Sequence, residues 1–189
     1  MKYNKLAKFL YKKRFLFIIL SSIIIISLLF FNLFKMVFFL LILLALIIAS
    51  STVARQIPRY NTSIELIMFG TVLCGFAYGM KIGALFGLIG SIIYYFGAGR
   101  MSYYVIVFAP LYSIIGIIAG FLAKTTNNND IFMLGMILTI SYSIISSLLV
   151  YIIFNAKFDK AFGFILINTI FNFIMFKYFG PMFLALMIV

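Results

Sequence analysis

Histidine and tryptophan are missing from these 189 residues, cysteine occurs once, and aspartate and glutamate together number three. A metal site needs several nitrogen, sulfur or oxygen ligands close together, and acid/base catalysis needs a poised pair. The three carboxylates are Glu65, Asp130 and Asp159, the last two at opposite ends of one apolar run. No catalytic residue, metal or cofactor is therefore assigned, and membrane enzymes that work through several aspartates or histidines are disfavoured. Cys74 has no partner for an intramolecular disulfide and reads as a small buried hydrophobe. Nothing resembles the phosphate-cradling glycine loop with its lysine and serine or threonine, so these residues bring no ATPase of their own.

Charge is also scarce. Only 10% of the residues are charged against 66% hydrophobic, which no single soluble core accommodates. Apolar runs reach about 20 residues, enough to cross the roughly 30 Å hydrocarbon layer at about 1.5 Å per residue. Because lipid offers the backbone no hydrogen-bond partners, each run must be a helix or a strand of a closed barrel. The runs are continuous rather than alternating, which selects helices. The fold expected is all-α, a polytopic transmembrane bundle of six or seven spans in a prokaryotic plasma membrane, without a separate soluble domain.

The net charge of +12 would point to nucleic acid in a soluble protein. Here Lys and Arg cluster at span ends, where anionic headgroups explain them. Residues 1–14 read as a basic interfacial amphipathic segment. Residues 15–34 form an extra amino-terminal membrane helix, an anchor rather than a cleaved signal. Residues 37–189 form a six-helix core. Asn32 and Lys35 are the only polar break in the first long apolar stretch, and a tight turn is expected there.

Pro58 makes the polar segment 55–63 a loop, with Thr62 or Ser63 placed to cap the next helix. Further helices are expected over about 64–77, 82–96, 103–122, 131–154 and 161–178, with Pro110 as a kink and Gly180-Pro181 beyond the last. Gly75, Gly79, Gly83 and Gly87 recur at every fourth position across the turn between the first two of these. Glycine costs a helix about 1 kcal/mol relative to alanine, so such a ladder marks helices whose backbones touch. Gly116 and Gly120 provide a second small-residue face.

Binding is better supplied than catalysis. Arg59, Tyr60 and Asn61, then Arg100, Tyr103 and Tyr104, then Asn155, Lys157 and Asp159, fall in three loops each separated from the next by two crossings, hence on one membrane face. Tyr142, Asn168 and Asn172 put polar groups inside spans, where they are costly and serve either ligand contact or helix-to-helix hydrogen bonding. Asn168 and Asn172 are one helical turn apart and share a face. The candidate solute-binding set is Arg59, Tyr60, Asn61, Arg100, Tyr104, Tyr142, Asn168 and Asn172.

The order of Ala45 and Ala49, a polar loop with Pro58, the run from Leu73 through Gly75, Gly79, Gly83 and Gly87, and a Gly-rich loop at Gly97 to Arg100 resembles the substrate-binding S component of energy-coupling factor (ECF) transporters. The resemblance spans about residues 37–178. It implies a six-helix protein that captures a vitamin or similar micronutrient near the outer face. It also implies that Ala45 and Ala49 pack on a transmembrane coupling subunit driven by ATPases. Rod-shape-determining proteins of the MreD type share the size and glycine pattern, and a membrane scaffold of the cell-shape machinery is the alternative. Their usual aspartate is replaced here by the stretch Ser91 to Tyr95.

Two orientations follow. With seven spans and a cytoplasmic amino terminus, Lys35, Lys81, Lys124 and Lys177 lie outside and the rest of the 15 basic residues inside, as the positive-inside rule prefers. The resemblance implies the reverse, with the loops of Arg59, Arg100 and Lys157 outside, forming a basic funnel for an anionic solute.

Overall fold

The structure, a computed structural model, describes residues 3–56, 65–99, 103–125, 130–154 and 158–188, with side chains from Phe30 onward apart from a few at helix ends. Among these residues every element is helical: α1 Tyr3–Gln56, α2 Ile67–Tyr78, α3 Met80–Gly97, α4 Tyr103–Thr125, α5 Ile131–Phe154, α6 Phe158–Ile174 and α7 Gly180–Ile188. Five stretches are long and apolar enough to cross a membrane, and α2 is a shorter apolar helix. The polytopic helical bundle expected from composition is what forms.

The turn expected at Asn32 and Lys35 does not form: α1 continues through both. Asparagine costs a helix only about 0.7 kcal/mol or less and lysine favours it, whereas a turn in lipid strands several backbone groups. The chain divides into two compact units, residues 1–38 and 39–189. In the first, Phe30, Phe31 and Phe34 are exposed. The second carries everything that follows.

Gly79 alone separates α2 from α3, with φ 88° and ψ 175°. That backbone is open almost only to glycine, so the ladder does double duty as turn and contact. Thr62 and Ser63, expected to cap the next helix, lie outside the described residues, and Leu66, which flanks α2, makes no side-chain cap. At α5 the Asp130 carboxylate accepts from the Phe132 and Met133 amides at 3.0 and 3.4 Å, an N-cap. The helix through Gly180 and Pro181 also continues, by way of a π-helical turn at Met175–Phe179. A proline ring clashes with the carbonyl four residues back, and the wider π turn just before Pro181 gives it room.

Close packing is concentrated in α2, α3 and α4. A methyl group on Gly83 would lie 2.5 Å from the Gly75 Cα and 2.7 Å from the Gly116 oxygen, and one on Gly87 would lie 2.5 Å from the Tyr112 oxygen. On Gly120 it would lie 2.7 Å from the Gly79 carbonyl carbon. Gly75, Gly79, Gly83, Gly87, Gly116 and Gly120 therefore all stand at helix contacts or, for Gly79, at the turn. Such approach gains dispersion and weak Cα–H···O contacts that side chains would prevent. The second half of α1 joins this block through buried Leu43, Ile47 and Ser51, with Ile47 against Gly90 and Ser51 against Gly97. A second group forms where α5 packs along α6. The two groups meet across α4–α5, α2–α5 and α2–α7, where Phe69 sits 5.3 Å from the Phe176 ring and 5.8 Å from the Phe183 ring.

Candidate functional site: a buried polar and aromatic cluster

With 12 residues, α2 covers about 18 Å, little more than half of the hydrocarbon thickness. Glu65 stands just ahead of it and is only 4% exposed. A carboxylate at that depth must be hydrogen-bonded to be tolerated. Its Oε1 accepts from the hydroxyl of Tyr112, near the middle of α4, and from that of Tyr142, near the middle of α5, at 3.5 Å. The first contact is short and the second is at the outer limit of a hydrogen bond.

The two tyrosine rings lie 4.6 Å apart between centroids at 31°. Phe164 of α6 adjoins Tyr142 at 6.5 Å, and Tyr95 of α3 stacks with Phe108 of α4 at 6.0 Å. Four helices, α3 to α6, thus contribute to these aromatic pairs, and Tyr112 and Tyr142 carry the hydroxyls that bond the carboxylate. Such pairs prefer offset or tilted geometry, which the 31° between these two buried rings follows.

Beside Tyr142 a second chain of polar groups links α5 to α6. Asn168 Nδ2 donates to Ser143 Oγ at 2.8 Å, and Asn172 Nδ2 donates to Asn168 Oδ1 at 2.9 Å and to the Asn168 carbonyl at 3.0 Å. Both asparagines are fully buried. Their orientation is what apolar spans demand, since each amide left unpaired in lipid costs more than the same group in water. The chain is incomplete at one end: among the described residues, Asn172 Oδ1 and the nearby Thr169 Oγ1 are buried without a hydrogen-bond partner. An amide that has spent a donor internally and kept an acceptor is equipped to receive a hydrogen bond from something else.

Of the residues expected to bind a solute, Tyr142, Asn168 and Asn172 are thus gathered along α5 and α6. Arg59, Tyr60, Asn61 and Arg100 lie outside the described residues, as does the side chain of Tyr104, whose backbone belongs to the first turn of α4. Glu65, Tyr112 and Ser143 were not among those expected. A signal existed for Glu65, a carboxylate followed directly by a long apolar run. Tyr112 and Ser143 sit in apolar helices like many others.

Ala45 and Ala49 are exposed on α1, on the face away from buried Leu43 and Ile47, with Leu41 and Ile48 exposed beside them. A shallow stripe of small residues flanked by larger ones suits close approach by another helix.

The family model described as "ECF-type riboflavin transporter, S component" matches residues 31–188. No curated protein and no solved structure matches the chain. The match decides between the two resemblances in favour of the transporter subunit, in a family of transporter components rather than of enzymes.

Proposed function

The chain belongs to the ECF-type riboflavin transporter S component family, and from that premise we propose that it is the membrane-embedded subunit that captures riboflavin or a closely similar flat solute near the outer face. It docks through Ala45 and Ala49 on a transmembrane coupling subunit, and through that subunit it draws on ATPases. The buried Asn168–Asn172 pair, with its unpartnered Asn172 Oδ1, is the observation that carries the placement of the site.

Riboflavin offers a flat ring system with amide-like N–H and C=O groups. Tyr142 and its aromatic neighbours supply stacking surface, and Asn168 and Asn172 supply both donor and acceptor atoms. Arg59, Tyr60, Asn61, Arg100 and Tyr104 complete the site from the loops on the same face.

Titration of the purified protein with riboflavin, followed by quenching of flavin fluorescence, tests the substrate. Saturable one-to-one quenching is expected. Absence of flavin binding removes riboflavin as the solute, and a protein that also purifies alone and retains no metabolite from an extract removes the capture role itself.

A further inference from the structure

Glu65 joins the two halves of the bundle at the depth of the candidate site. Its backbone leads into α2, and Tyr112 belongs to α4, so both are parts of the block that the glycines pack together. Tyr142 belongs to the other group, whose α5 and α6 are tied by Ser143, Asn168 and Asn172. The carboxylate that accepts from both tyrosines therefore spans the seam between a backbone-packed block and a hydrogen-bonded one.

We propose that Glu65 is a positioning residue for solute capture: it holds Tyr142, and with it the Ser143–Asn168–Asn172 chain, in register with the α2–α3–α4 block. The proposal rests on the functional reading above for its ligand, but not for its geometry. Three observations support it. The block is closely packed for a stated reason, since its helices touch backbone to backbone at Gly75, Gly83, Gly87, Gly116 and Gly120. The seam, by contrast, is bridged by side chains: the tilted Tyr112–Tyr142 pair, Phe69 against Phe176 and Phe183, and the 3.5 Å contact of Tyr142 with Glu65. The seam also falls at Tyr142, the chain neighbour of the Ser143 that accepts from Asn168. Losing the shared buried Glu65 acceptor would deprive both tyrosine hydroxyls of a partner at once.

The test uses spin labels on exposed positions in a Cys74→Ala background. One pair, at Ile89 on α3 and Ile170 on α6, reports across the seam, and a second, at Ile89 and Ile117 on α4, reports within the block. In Glu65→Gln the distance distribution across the seam is expected to broaden while the pair within the block is unchanged, and the riboflavin dissociation constant is expected to rise at least tenfold. Tyr142→Phe, which removes only a hydroxyl, provides the same readout if Glu65→Gln fails to fold. An unchanged distribution across the seam overturns the proposal. So does equal broadening of both pairs, which would mean general loosening, and so does unchanged riboflavin affinity in a protein whose seam has broadened. Wild-type protein that binds no riboflavin defeats the functional reading alone, because the label distances involve no ligand.

Discussion

Gly83 on α3 and Gly116 on α4 meet backbone to backbone: a methyl group on Gly116 would overlap the Gly83 carbonyl, and one on Gly83 would lie 2.7 Å from the Gly116 oxygen. Neither neighbour is a flexible side chain that can swing aside. Gly116→Ala is therefore expected to lower stability by about 1–3 kcal/mol, the usual range for overpacking. A methyl group on Gly163 of α6 would meet nothing within 4 Å, so Gly163→Ala is expected to be neutral or stabilising by up to about 1 kcal/mol. Thermal unfolding of both variants in the same detergent decides the matter, and equal losses would contradict the packing described.

Gly79 makes a different demand. Space around it is open, but its φ of 88° is one that side chains resist. Gly79→Ala should cost about 1–3 kcal/mol from backbone strain alone. A loss of that size in an unfolding curve is expected, and no loss would show that the turn can adopt another conformation.

Removing the Asn168 side chain breaks its bond to Ser143 and takes one acceptor from the Asn172 amide, which keeps its bond to the Asn168 carbonyl. Interhelical bonds of this kind contribute about 0.6–2 kcal/mol in a membrane, so Asn168→Ala should remain folded. Its riboflavin affinity should drop sharply. Flavin titration of the folded variant separates the two effects, and affinity equal to wild type would assign the asparagines to helix packing only.

Ala45→Leu combined with Ala49→Leu fills the exposed stripe on α1 without touching the buried cluster. Co-purification with the coupling subunit should be lost while flavin binding is retained. Retained co-purification would move the docking surface elsewhere.

The two possible orientations make opposite predictions for single cysteines in the Cys74→Ala background. If the proposed function holds, a cysteine at Asn61 is labelled from the outside and one at Asn128 only from the cytoplasm. The reverse pattern would exclude capture from the outer face.

Much of the bundle was legible from local features. Helix bounds for α3 and α5 agree closely with the expectation, because the runs are long and their ends carry Gly97 to Gly99 or the polar stretch before Ile131. The breaks expected at Asn32 with Lys35 and at Gly180-Pro181 did not materialise, for one shared reason. A residue disfavoured in water-exposed helices does not end a helix where lipid leaves the freed backbone groups no partner, provided, at Pro181, that a π turn absorbs the ring. The site was less legible. Asn168 and Asn172 could be paired from their spacing, but the chemical role of Tyr142 depended on what faced it.

The sequence by itself determined that this is a helical membrane protein, that two short helices turn between about residues 77 and 82, and that glycine faces bring helices together. Each of these follows from interactions between neighbours in the chain, or from lipid acting alike on every residue. Only the tertiary structure decided that Glu65 meets Tyr112 and Tyr142, residues 47 and 77 positions away. No periodicity encodes which faces of three helices will meet. That choice was made by packing: the glycines let α2, α3 and α4 close tightly, and the closed block delivers the Glu65 carboxylate to the tyrosines that make its burial tolerable.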